Sequence, residues 1–239
     1  MNLALLTALG VGGATVVGSI VGCLVKRIPQ RAAGLTLSFA AGIMLAASVW
    51  GLIIPSLESG GVLTCAAGVL FGALFIGACE RLVPSLRFVA GADDASSDKA
   101  IKLLLAMALH NLPEGIAAGV SLGSGDKAGA FSVALGIAVQ NLPEGMAVIP
   151  HMLSAGISRR RAFLLAVFTG AMEVVGTLLG HRAITFFSWI LPFSLAFAGG
   201  AMLYVIADEM LPDSAEQGRL GAYIFTLGVC AMLVLNAYM

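Results

Sequence analysis

Apolar runs of bilayer-spanning length, separated by short clusters of charge or Gly/Pro, make up most of the 239-residue chain. A hydrocarbon core is crossed by about 20 helical residues. Windows of that size predict eight membrane-spanning helices, over about 3–25, 34–56, 61–79, 101–122, 129–151, 162–180, 186–211 and 219–238. The breaks hold Lys26 to Arg31, Glu58-Ser59-Gly60, Glu80 to Lys99, Gly123 to Lys127, Ser158 to Arg161, His181-Arg182 and Pro212 to Gly218. Pro192 interrupts the seventh run. The fold class expected is an all-α integral membrane protein, with residues 1–239 forming one eight-helix transmembrane domain and no second, soluble domain.

Composition agrees with that pattern. Hydrophobic residues are 59% of the chain and charged ones 11%, where soluble domains carry roughly 25% charged residues. Thirty glycines suit close helix approach in a polytopic bundle. Net charge is zero and no basic stripe is present, so nucleic acid is not an expected partner. Cys23, Cys65, Cys79 and Cys230 stand singly in apolar runs and read as small packing residues. The first apolar run lacks a basic leader and continues past 20 residues, which reads as a first transmembrane helix and not a cleaved signal.

Basic residues then fix an orientation. Lys26, Arg27, Arg31, Arg81, Arg87, Lys99, Lys102, Arg159, Arg160, Arg161 and Arg219 fall on one side of the eight spans, and only Lys127 and Arg182 on the other. The positive-inside rule places the first set in the cytoplasm and both termini outside. The expected location is the cell (inner) membrane, multi-pass. The connection over about 80–99, with Asp93, Asp94 and Asp98, reads as a solvated linker.

Against this apolar background one polar motif occurs twice. His110-Asn111-Leu112-Pro113-Glu114-Gly115 returns as Gln140-Asn141-Leu142-Pro143-Glu144-Gly145. His110 and Glu114 lie about 10 to 14 residues into the fourth span, roughly 15–21 Å deep at 1.5 Å per residue. Gln140 and Glu144 reach a similar depth in the fifth span, as does Glu173 in the sixth. A carboxylate at that depth costs several kcal/mol without a partner. Spacings of three and four residues put His110, Asn111 and Glu114 on one face, and Gln140, Asn141 and Glu144 on another. Since successive spans run oppositely, the two motifs meet as an inverted pair, as midplane sites of secondary transporters do. Pro113 and Pro143 free the carbonyls of Leu109 and Val139. Protonated glutamates merely hydrogen-bonded between helices do not account for a duplicated motif plus a third carboxylate at equal depth. Imidazole with carboxylates suits Zn²⁺ and neighbouring divalent transition metals, whereas amide and carboxylate oxygens tolerate Mn²⁺ or Fe²⁺.

At these residues the sequence resembles the ZIP (Zrt/Irt-like) family of divalent metal transporters, in its bacterial branch. Its fourth and fifth helices carry motifs like those at 110–115 and 140–145, and its sixth-helix glutamate is matched by Glu173 in Met172-Glu173-Val174-Val175-Gly176. The run from Gly199 to Glu209 is similar to the family's seventh helix. The resemblance implies a 3+2+3 arrangement, spans four and five lying between inverted three-helix repeats. It also implies a binuclear metal site: His110, Glu114, Gln140 and Glu144 at one position, and Asn111, Glu114, Asn141, Glu144 and Glu173 at the other. The metal, Zn²⁺ foremost with Fe²⁺, Mn²⁺, Co²⁺ and Cd²⁺ as other candidates, is then a transported substrate moved into the cytosol. No organic cofactor and no enzymatic activity are expected. Where many members have a histidine or acidic residue, this chain has Gln140 and Asn141, and its loop between spans three and four has no histidine.

Further polar residues mark a candidate pathway. His151 lies seven positions beyond Glu144 on the same helical face, Asp208 and Glu209 end the seventh span, and Glu58 ends the second on the outer face. Expected partners are divalent metal ions, membrane lipid and a second copy of the chain in a homodimer. Two other function classes are compatible with a buried metal. One is an intramembrane metal-dependent hydrolase, although H-E-x-x-H and G-x-S-x-G are absent. The other is a metal-sensing membrane protein that binds without transporting.

Overall fold

In the computed structural model the described residues are 3–25, 29–89, 108, 111–154 and 157–238. They are helical almost throughout, with no strand among them. Apolar runs of about 20 residues favour this: with no water to satisfy the peptide groups, a helix lets each segment bond to itself. Helix α1 is Leu3–Leu24, α2 Gln30–Ser48 and α3 Ile54–Val89; α4 covers 111–123; α5 is Lys127–Ser154, α6 Arg159–Phe186, α7 Leu191–Val205, α8 Leu211–Glu216 and α9 Gly218–Ala237. Six described stretches are long and apolar enough to cross a membrane, one of them the 49 residues of Arg31–Cys79.

That 49-residue stretch is not one rod. Gly61 takes φ 74°, ψ 170° inside α3. The Cys65 thiol reaches the Ile53 carbonyl at 3.6 Å, whereas twelve residues of straight helix would separate them by about 18 Å. The chain therefore reverses at Gly61, where a side chain would meet the left-handed penalty that glycine escapes.

The helices turn small residues inward and large ones out. In α1 the buried positions are Ala4, Ala8, Val11, Gly12, Thr15, Gly18, Ser19 and Gly22, while Leu3, Leu6, Leu9, Val17 and Leu24 are exposed. Lipid is as apolar as leucine, so packing selects residues that let backbones touch. Each of those eight buried positions has a buried counterpart 158 residues later in α6, from Ala162 to Gly180. The second half of the pattern also recurs. A π-helical turn at Val49–Ile53 reappears 157 residues on as Ile206–Met210. Pro55 and Pro212 follow these turns and Gly61 and Gly218, both at positive φ, come next. Proline cannot donate to the carbonyl four residues back, and the widened turn makes room for its ring. Helix contacts follow the same scheme: α1 lies on α5 and α6, α2 on α9, and α3 on α7.

Several boundaries differ from the sequence expectation: α6 runs on to Phe186 through the expected break at His181-Arg182, and α8 occupies most of the one expected at Pro212 to Gly218. The helix that begins after Gly61 continues to Val89, ten residues into the expected connection at 80–99. Hydropathy marks where lipid ends, not where helical hydrogen bonding ends. Pro192 does not interrupt the seventh span; it sits in the first turn of α7, where its missing N–H would have had no partner. A short 3₁₀ turn, Ser188–Ile190, precedes it. The residues of the remaining linker, Asp93, Asp94 and Asp98 included, lie outside the described set.

Candidate metal centre

Glycines bring the polar helices together. A Cβ on Gly115 would lie 2.3 Å from the Glu173 carbonyl, so α4 and α6 are in backbone contact there. Gly145 stands in the same relation to the Thr15 carbonyl, again at 2.3 Å, joining α5 to α1. The contact is reciprocal. Gly176 abuts the Leu112 carbonyl and Gly18 the Leu142 carbonyl, and Gly12 and Gly170 face each other where α1 crosses α6.

The polar side chains gather at this crossing. Thr15, Asn111, Gln140, Asn141 and Glu173 have no solvent exposure and Glu114 has 1%. Gln140 donates its amide N–H to Glu114 Oε1, bridging α5 and α4. Glu173 is held from three helices: by Thr15 Oγ1 at 2.5 Å on Oε1, by Asn111 Nδ2 on the same oxygen, and by Asn141 Nδ2 at 2.5 Å on Oε2. Asn141 Nδ2 also reaches the Val11 carbonyl at 3.3 Å. Glu144 is half-buried and interacts electrostatically with both Glu114 and Glu173. Of the residues expected from sequence, Asn111, Glu114, Gln140, Asn141, Glu144 and Glu173 are thus in one neighbourhood. His110 lies outside the described residues.

Each amide here spends its N–H on a carboxylate, which turns its oxygen elsewhere. Among the described residues four buried oxygens are left without a hydrogen-bond donor: Asn111 Oδ1, Glu114 Oε2, Gln140 Oε1 and Asn141 Oδ1. A buried acceptor without a partner costs about 1–3 kcal/mol. Four in one cluster are a standing demand for positive charge, and a cation answers it with oxygen ligands of the kind hard and borderline metals accept. Among the described residues no three His, Cys, Asp or Glu side chains are grouped to hold a metal. The donor set consists instead of carboxylates interleaved with amides.

A ZIP zinc transporter family model matches residues 90–236, which include both Asn-Leu-Pro-Glu-Gly motifs and Glu173. The chain belongs to the ZIP zinc transporter family. Among its ZIP relatives, zinc transporter GufA of Myxococcus xanthus is 38% identical over 91% of each chain. Zinc transporter ZupT of Chlorobium chlorochromatii is 33% identical over 94% of this chain and 93% of its own. Zinc transporter ZIPB of Bordetella bronchiseptica is 34% identical over 86% of this chain and 71% of its own. A multi-pass membrane protein of a zinc-transporter family is the reading in which composition, helices and kinship meet.

Thr15, which no charge or motif marks in the sequence, also belongs to this centre. The signal was available: it lies about 12 residues into the first span, as Glu173 does in the sixth, and Ser19 follows it one turn on. The Ser19 hydroxyl bonds the Thr15 and Gly145 carbonyls, at 2.8 and 3.2 Å. The candidate pathway residues lie in varied settings. Glu58 is exposed in α3, Asp208 is exposed and Glu209 half-buried in the second π turn, and His151 belongs to α5 with its side chain outside the described set.

Proposed function

We propose that this ZIP chain takes up a divalent transition metal, Zn²⁺ foremost, across the cytoplasmic membrane, binding it midway at the cluster on α4, α5 and α6. The observation that carries this is the set of four buried oxygens on Asn111, Glu114, Gln140 and Asn141 that have no donor among the described residues. With them we group Glu144, Glu173 and His110. The relatives' names point to the same cargo, since GufA, ZupT and ZIPB are each called zinc transporters. Fe²⁺, Mn²⁺, Co²⁺ and Cd²⁺ are further candidate cargoes.

The architecture we propose is eight spans in a 3+2+3 order, with both termini outside. The recurrence of buried positions and π turns at an interval of 157 to 158 residues supports two inverted three-helix halves. Contacts join α1 to α5 and α6, α3 to α7 and α2 to α9, with α2 also lying on α5. Movement of the flanking helices against α4 and α5 would open the centre to each side in turn. Glu58 is then an outer attractor, and His151, Asp208 and Glu209 line the way out. Hydrolysis has no nucleophile to argue from, and the family is one of transporters. A sensor that binds without transporting is separated by one experiment, uptake of labelled Zn²⁺ into proteoliposomes. Wild type is expected to accumulate the metal and Glu114→Ala to lose accumulation while eluting as folded protein. Normal uptake by Glu114→Ala would remove the proposal.

A further inference from the structure

Taking the transport centre as its starting point, we infer that this chain binds a single metal ion, and that Glu173 is a positioning residue held by hydrogen bonds and not a ligand.

Glu173 has little left to offer a metal. An ionised carboxylate accepts at about four lone-pair positions, and three are taken by Thr15, Asn111 and Asn141. These donors come from α1, α4 and α5, so α6 is tied to all three neighbours at this carboxylate. The amides cannot be turned over without setting their oxygens against the Glu173 oxygens, two acceptors facing with no proton between them. With the amides fixed this way, their oxygens are the free atoms, beside the free Oε2 of Glu114. Glu173 therefore aims Asn111 and Asn141 in the way that a carboxylate behind a ligating histidine fixes its ring.

Asn141 decides the count. A carboxylate at this position could donate nothing to Glu173, and two buried carboxylates side by side would need a cation between them. Asparagine supplies an N–H instead, and a 2.5 Å hydrogen bond to Glu173 Oε2 stands where a second ion would be required. Thr15 completes the arrangement. It occupies in α1 the place that Glu173 holds in α6, 158 residues on, and the two meet at the crossing of their helices.

The test counts ions. Purified, chelator-stripped protein is titrated with Zn²⁺ by calorimetry, and bound zinc is measured by mass spectrometry after desalting. One ion per chain is expected. Two ions in the wild type would overturn this inference while leaving the transport proposal intact; none would overturn both. Asn141→Asp is expected to bind two. Glu173→Gln, which keeps an acceptor for Thr15 and Asn111, should retain the single ion with affinity reduced by about 10- to 100-fold. Loss of all bound zinc in folded Glu173→Gln would make Glu173 a ligand and end the proposal. Thr15→Val should weaken binding over the same range, and Thr15→Ser should restore it. Equal loss in both Thr15 variants would assign that residue a packing role alone.

Discussion

The amides of the centre matter as much as its carboxylates. Gln140 gives its N–H to Glu114 and keeps its oxygen free, so it shapes the binding site as well as furnishing a ligand. Gln140→Leu would keep the volume but remove both contacts. We expect zinc uptake to fall by at least about tenfold, the scale of one charge-assisted hydrogen bond at ~1.5 kcal/mol, as initial rates in proteoliposomes would show. Gln140→Glu exchanges the donor for a second carboxylate beside Glu114, which favours a cation but also a proton. Because ligating carboxylates must be deprotonated, lowering external pH is expected to reduce uptake, and to do so more steeply in Gln140→Glu. A pH profile of the two proteins that superimposes would contradict this. At this scale the sequence was partly legible. Depth and the three- and four-residue spacing found Asn111, Glu114, Gln140, Asn141, Glu144 and Glu173. They could not find the direction of each amide, because that follows from donors on other helices.

Among the elements, close helix crossings position the side chains. Gly115 and Gly145 stand against carbonyls of α6 and α1, and a methyl group would have to push each helix away from backbone that cannot yield. Gly115→Ala is expected to destabilise the protein by about 1–3 kcal/mol and to loosen the Asn111–Glu173 contact, lowering both Tm in detergent and zinc affinity. Gly13, with open space around its Cβ position, is the control: Gly13→Ala should leave both unchanged. Gly61→Ala addresses a different device. At φ 74° an alanine would pay roughly 1–2 kcal/mol for the left-handed conformation, and Tm should drop without any change in metal stoichiometry. Apolar windows located most of these helices. They missed the extension to Val89 and the role of Pro192, since hydropathy reports the lipid boundary while helix ends depend on backbone donors.

For the molecule as a whole, matching features recur at a near-constant interval of 157 to 158 residues, as the proposed two halves around α4 and α5 require. The eleven-to-two distribution of basic residues supports the proposed sides. A cysteine placed at Ser124, in the turn after α4, is expected to react with a membrane-impermeant thiol reagent from outside intact cells. One at Ser158, before Arg159-Arg160-Arg161, should react only after permeabilisation. The reverse pattern would invert the proposed direction of the pathway, placing Asp208 and Glu209 on the outer face.

By itself the sequence determined that the chain lives in a membrane, and it places two polar motifs and Glu173 at similar distances into their apolar runs, with residue types that suit a divalent cation. These follow from local quantities: hydropathy, rise per residue and the cost of charge in hydrocarbon. Only the tertiary structure decided that α1 enters the centre through Thr15. It also decided that Glu173 accepts from three donors and that four other buried oxygens have none among the described residues. Those facts depend on which helices touch and at what register. Glycine-to-carbonyl contacts fix that register, and such contacts join residues far apart in sequence, where no period along the chain records them.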